Sequence, residues 1–443
     1  MNTLIGMILA LGVIILVHEW GHFIAARYFG VRVDVFSIGF GPRLFGVKRG
    51  DTDWRISAVP LGGYVRMAGQ DITEIDSGEA KPTGAPDELM SKPRWQRAII
   101  SFAGPAVNLV FPILLLAGYY IISGQPHAAY LDKPAVITGM AMNSTASKAG
   151  FQSGDKIVSV NGTKVSSWED AQKALYTGAA DKPALVVVEH NGENRELSLA
   201  VKSDPYDHPL GYLPIAPIIG QVVPGKPAAH AGIQTGDLVK SVDGQPIAYW
   251  DQFVDLVRGS GGKTLEVGVE RQGLPATLSV TPKQGAADPN EKNYQIGIAP
   301  EVSFAYSKVG PVEAVKSATR QTGSIIAETF GVLGKLFSGR VSVKELQSVV
   351  GISRAAGEAV AMGAFAIISF MALISVNLGI LNLLPIPILD GGHILLLSME
   401  GLRRRDFSLT FKERFIQVGL VFLLVVFAYV MYNDIVRQLP VHM

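Results

Sequence analysis

Two segments far apart in the chain carry side chains whose types and spacing could hold a metal ion. The first is His18-Glu19-Trp20-Gly21-His22. On a helix, residues four apart share a face with Cβ atoms about 5–6 Å apart. Two imidazoles so placed can bind one zinc ion, and Glu19 on the neighbouring face can reach the water on that ion. A catalytic zinc takes three protein ligands and leaves a position open. With no cysteine in the chain, thiolate sites, disulfides and a cysteine nucleophile are excluded, and the ligands come from His, Asp and Glu. The candidate third ligand is Asp390, in Asn382-Leu383-Leu384-Pro385-Ile386-Pro387-Ile388-Leu389-Asp390-Gly391-Gly392. Pro385 and Pro387 break a helix, and Gly391-Gly392 lets the backbone turn so that the carboxylate is aimed sideways. His393 is the alternative ligand, read as a solvated residue beyond the turn. His127, His190, His208, His230 and His442 lie outside the apolar stretches and read as surface residues.

The elements that position these residues are apolar. Mean hydropathy is +0.28 and charged residues make up 17%, which suits a chain partly in lipid. Four stretches approach the roughly 20 residues that a helix needs to cross about 30 Å of hydrocarbon: 4–26, 98–122, 362–384 and 415–430. The first lacks a positive n-region and a small-residue cleavage site, so it reads as a retained span rather than a signal peptide. His18, Glu19 and His22 fall within it. An ionisable side chain at mid-membrane costs on the order of 3 kcal/mol, and three in five residues need a shared reason, which a metal supplies. Asp390 follows the third span at the end matching His22 in depth.

Arg27, Arg32, Arg94 and Arg97 flank the loop between the first two spans. Arg403, Arg404, Arg405, Lys412 and Arg414 crowd the loop between the last two. The positive-inside rule makes both loops cytoplasmic and puts the long central region and both termini on the other side, the periplasm in a Gram-negative cell. The formal net charge of +1, with no interleaved basic and aromatic stretch, argues against nucleic acid as a partner.

The central region contains a duplication. Ala149-Gly150-Phe151-Gln152-Ser153-Gly154-Asp155 recurs as Ala231-Gly232-Ile233-Gln234-Thr235-Gly236-Asp237. At the same offset Asn161-Gly162 matches Asp243-Gly244, and Trp168 matches Trp250. Short strands, Asn-Gly or Asp-Gly turns and one helix read as a compact β domain. The pattern resembles circularly permuted PDZ domains, which imply binding of an extended peptide at an open sheet edge. The expected domains are 127–215 and 216–302. For the connecting region 303–361, an amphipathic helix on the membrane surface and packing against the β domains are both compatible with the pattern.

The motif at 18–22, the Asn-x-x-Pro-x-Pro-x-x-Asp-Gly-Gly segment at 382–392 and the tandem β domains together resemble the site-2 protease family of intramembrane zinc metalloproteases. The resemblance runs essentially end to end. It implies a multi-pass α-helical membrane protein with four transmembrane helices, a membrane-associated β-hairpin and two tandem extramembrane PDZ-like domains. The membrane domain would comprise 1–126, with the hairpin in the cytoplasmic loop 31–68, and 362–443. By that likeness His18, His22 and Asp390 are zinc ligands and Glu19 is the general base. Asn382 would hydrogen-bond an extended substrate, with Asn377 as a second candidate. Residues Phe36–Pro42 and Ile56–Tyr64 match the family's hairpin. The implied substrates are single-span membrane proteins already shortened on the periplasmic side: an anti-sigma factor in envelope stress signalling, and remnant signal peptides. The implied location is the bacterial inner membrane. One departure is visible, since a Gly-Pro pair common in the family before the third span is absent from Gln347-Ser348-Val349-Val350-Gly351-Ile352. The rival class is a non-enzymatic scaffold or a metal transporter with PDZ domains. A transporter shows paired repeats among its spans, whereas the repeat here is extramembrane, and a scaffold has no need of four metal-site residues at one depth.

Overall fold

The computed structural model describes residues 6, 8–69, 83–142, 144–176, 183–200, 208–284, 294–339 and 349–438. The expected start of the first span at Leu4, together with Gln347, Ser348 and His442, lies outside these residues. The chain forms two compact units, one drawn from Met1–Gln125 and Lys308–Leu439, the other from Pro126–Ser307.

Among the described residues, four helices of the first unit are long and apolar enough to cross a membrane. They span Val13–Tyr28 (after a π-helical turn, Ile8–Gly12), Arg94–Ser123, Ala364–Asn382 and Leu409–Gln438. The first two cross closely because both carry glycine at the contact. A Cβ on Gly21 would lie 2.5 Å from the Ala103 carbonyl oxygen. Such small-residue crossings are how membrane helices gain packing without a hydrophobic driving force. The second helix contains Pro105 and Pro112. Pro112 has no N–H to offer the carbonyl four residues back, that of Asn108. Ser375 of the third helix supplies the missing donor, its Oγ bonding the Asn108 carbonyl at 2.8 Å. One broken backbone bond thus becomes a tie between spans.

Segment 33–67 is more folded than a plain hairpin. Val33–Arg49 and Thr52–Met67 are continuous strands, but Gly39, Gly41 and Gly62 adopt positive φ and bend them. Val35, Phe36, Ser37 and Ile38 pair on one side with residues 53–56 and on the other with residues 63–66. The result is a four-segment sheet whose outer members are 43–49 and 63–67. The expected segment Phe36–Pro42 therefore bends at 39–42, while Ile56–Tyr64 takes in only the end of the interior strand 53–57 and the start, at Gly63, of the outer strand facing the first helix. Phe23 of that helix stacks edge-on with Phe36 (ring centroids 5.6 Å apart), and Phe36 lies 4.9 Å from Trp54, clamping the sheet to the helix.

Region 303–361 opens with strand Phe304–Ser307, paired with Gln125–Ala128, and its described residues beyond that strand are mainly helical. Helix Pro311–Phe337 packs on the second and third apolar helices, burying Ala314 and Ala318 against Leu116, Ala117, Tyr120 and Ala372. Ala314 and Ala318 on this one face let the helix approach closely, which a bulky face would not. Helix Val349–Met362 follows and ends at Gly363, whose φ of 109° breaks it from the third span.

Within the second unit the duplication is structural. Two four-stranded sheets have the same order: 163–164, 156–160, 184–190, 193–199 in one and 245–246, 238–242, 265–271, 274–280 in the other. Helices Trp168–Tyr176 and Trp250–Gly259 occupy matching places. Each repeat buries its own apolar core, around Trp168 in the first and Phe253 in the second. The Asn161-Gly162 and Asp243-Gly244 turns have positive φ at both residues, the geometry that matches strand twist. The repeated aspartates Asp155 and Asp237 have fully buried side chains and meet the guanidinium groups of Arg195 and Arg271.

Candidate metal centre

His18 and His22, one turn apart on the first apolar helix, are both buried with their Nε2 atoms 3.2 Å apart. Asp390 follows the third apolar helix, beyond an irregular segment. The third helix ends at Asn382, and Asp390 opens a separate helix, Asp390–Arg403. Gly391 and Gly392 are helical there, not a free turn. A Cβ on Gly391 would sit 2.3 Å from the Leu383 carbonyl oxygen, and one on Gly392 2.1 Å from that of Ile386. The glycines are needed so that this helix start can press against the irregular segment 383–389. That contact, rather than backbone freedom, aims Asp390. The carboxylate also sits at the positive end of its own helix dipole, which favours its charge.

Asp390 Oδ2 lies 3.3 Å from His18 Nε2, and Oδ1 lies 3.5 Å from His22 Nε2. One ligand atom from each of the three residues falls within 4.8 Å of the others, a convergence unique among the described residues. A tetrahedral zinc with bonds of about 2.0–2.1 Å has ligand–ligand edges of about 3.3–3.4 Å, so these three groups fit that ion. The packing around them fits as well. Gly104 of the second helix faces the two imidazoles, and a Cβ there would stand 2.3 Å from His22 Nε2 and 2.8 Å from His18 Cε1. The space beside the ring nitrogens exists because residue 104 has no side chain.

Glu19 is half-buried on the same helix, beside the outer strand of the sheet. Its Cγ is 3.7 Å from where a Cβ of Gly63 would be, and its carboxylate interacts with the backbone amide of Val65 and with His18, His22 and Asp390. Asn382 brings its amide nitrogen 3.4 Å from His18 Nε2. Asn377 is placed differently: Thr329 of helix Pro311–Phe337 donates to its amide oxygen at 2.8 Å. His393 is exposed on its helix. Two groups that the motifs did not reveal also touch the histidines. The Ile100 carbonyl accepts from His22 Nδ1 at 2.8 Å, and the fully buried Asn108 lies 3.3 Å from His18 Nδ1. A polar residue inside an otherwise apolar run was the available signal for Asn108.

The sequence profile of Peptidase family M50 matches residues 6–426. The chain belongs to this family, that of the site-2 proteases. It is a zinc metalloprotease of the membrane. The protease is 35% identical over 457 residues to the Escherichia coli protein named regulator of sigma-E protease RseP, with 98% of each chain covered. It is 34% identical over 455 residues to the Salmonella typhimurium protein of the same name, and 34% identical over 456 residues to the Yersinia pestis protein named protease RseP. Both matches again cover 98% of each chain.

Proposed function

We propose that this protease cleaves the transmembrane segments of single-span membrane proteins, with His18, His22 and Asp390 holding the zinc and Glu19 as general base. The observation that carries this reading is the convergence of three ligand atoms within 4.8 Å on residues from two distant helices, with Glu19 beside them. Bound zinc supplies polarisation of the scissile carbonyl and a water acidified to a pKa of roughly 7. Glu19 takes the proton from the attacking water and returns it to the leaving amine.

A transmembrane substrate hides its carbonyls in helical hydrogen bonds, so it has to unwind first. The outer strand Gly63–Met67 passes Glu19, and an extended segment added along its edge would take backbone hydrogen bonds from it. Asn382 adds a side-chain amide to the same groove, and Asn377 braces its helix from the far side. The Arg-rich loops at 27–32 and 94–97 and at 403–414 support a cytoplasmic location for this end of the site. The repeats, read as PDZ domains at 127–215 and 216–302, would then lie in the periplasm and exclude substrates with bulky periplasmic parts. Three relatives carry names tied to RseP, two of them naming sigma-E, which favours an anti-sigma factor as substrate, beside remnant signal peptides.

The test is a purified single-span reporter incubated with wild type, Glu19→Gln and His22→Phe, with zinc measured in each. Cleavage by wild type alone, with zinc kept in Glu19→Gln and lost in His22→Phe, is the expected result. Wild-type cleavage by Glu19→Gln would overturn the assignment of the base.

A further inference from the structure

Both imidazoles of the metal centre turn Nδ1 towards the second apolar helix. His22 Nδ1 donates to the Ile100 carbonyl at 2.8 Å. Two turns further along, the Asn108 side chain lies 3.3 Å from His18 Nδ1. An imidazole that gives Nε2 to a metal carries its proton on Nδ1, and that N–H needs an acceptor. The Asn108 atom nearest His18 is the amide nitrogen, a donor, while its amide oxygen is buried with no hydrogen-bond partner. The two ends of a carboxamide have nearly the same shape, so a half-turn of the amide exchanges them without repacking. The exchange satisfies both groups at once: the His18 N–H gains an acceptor and the orphaned oxygen gains a donor.

We propose that Asn108 is a positioning residue: its Oδ1 accepts the His18 Nδ1 proton and so commits His18 Nε2 to the metal. The inference rests on His18 being a zinc ligand. Ile100 and Asn108 then form a matched pair of acceptors on one rigid helix, one for each imidazole. The anchor between the second and third spans does not depend on the Asn108 side chain, because Ser375 binds its backbone carbonyl. Substitution at Asn108 therefore leaves that tie in place.

The full-length protein in detergent is titrated with zinc against a competing chelator, as wild type, Asn108→Asp and Asn108→Leu. Aspartate keeps an acceptor and binds zinc about as tightly as wild type, whereas leucine fills the volume without one and weakens binding by about 10–100-fold. Zinc affinity unchanged in Asn108→Leu, or lowered equally in both variants, overturns the proposal. The nitrogen-15 spectrum of histidine-labelled, zinc-loaded wild type needs no variant. It should show the His18 Nδ1 proton hydrogen-bonded and protected from solvent exchange, as for His22. A rapidly exchanging His18 proton beside a protected His22 proton overturns the role. If His22→Phe and Asp390→Asn lose zinc while Asn108→Leu does not, the ligand set stands and only the role of Asn108 falls.

Discussion

Gly104 and His22 face each other across the crossing of the first two apolar helices, so closely that a methyl group at 104 would stand 2.3 Å from His22 Nε2. The space beside the imidazole nitrogens is thus a property of the second helix as much as of the motif on the first.

Gly104→Ala should cost metal before it costs fold. Overpacking of this kind costs about 1–3 kcal/mol, and here the nearest atom to move is His22 Nε2, the proposed ligand nitrogen. The expected outcome is a large loss of bound zinc, read by metal analysis, in protein that still elutes as a folded species. Full zinc occupancy in Gly104→Ala would show that the imidazole has room to move aside.

Glu19→Gln and Asp390→Asn should separate base from ligand. The first is expected to retain zinc and to lose about 10²–10⁴-fold in cleavage rate, the range for a general base. The second should lose both zinc and activity. Zinc fully retained in Asp390→Asn would point to His393 or another third ligand.

Asn382→Ala and Asn377→Ala should behave differently although they stand five residues apart. Loss of one hydrogen bond to an extended substrate costs roughly 1–3 kcal/mol, or about one to two orders of magnitude in turnover. Asn377 is engaged by Thr329, and interhelical bonds of this type average about 0.6 kcal/mol in membranes. Its loss should therefore show in melting temperature with little change in turnover. Equal turnover losses in the two variants would put both side chains on the substrate.

Asp237 offers a test in acid. Burial opposes its charge, yet the Arg271 guanidinium and the Gln234 amide hold its carboxyl below the usual range. A depressed folded value means that the stabilisation is present above the unfolded range, near pH 4, and is lost as pH falls through the folded value. Arg271→Met leaves the buried Asp237 carboxylate without its cation and should destabilise this repeat. Hydrogen exchange in residues 265–280 should accelerate sharply in that variant. The same change at Arg195 should matter less, because His190 also contacts Asp155, at 2.7 Å.

Much of the site was readable because its chemistry is written in spacing. His18 and His22 sit four apart in an apolar run, and Asp390 follows a second run at the same depth. The repeats were readable because Asn161-Gly162 and Asp243-Gly244 meet a backbone requirement that few residues satisfy. What escaped were features defined by contact rather than by pattern. Gly391-Gly392 looks like a hinge in one dimension, and only the Leu383 and Ile386 carbonyls reveal it as a packing seam. Region 303–361 carries a pattern that suits either the membrane surface or the β domains, and only contacts show Ala314 and Ala318 meeting the neighbouring apolar helices. Asn108 stands out as a polar residue in an apolar run, but nothing local to it names its partner ninety residues away.

The separation of the two motifs along the chain has a biosynthetic consequence. The histidines are made and inserted first, while Asp390 follows nearly 370 residues later. At typical elongation rates the delay is roughly 20–75 s, during which the nascent protein holds two imidazoles but no complete ligand set. With His18, His22 and Asp390 as the proposed ligands, tight zinc uptake waits until Asp390 has been made. With that proposed ligand set, a chain stalled before Asp390 would sit in the bilayer without hydrolytic capacity, so the protease is armed only late in its own synthesis.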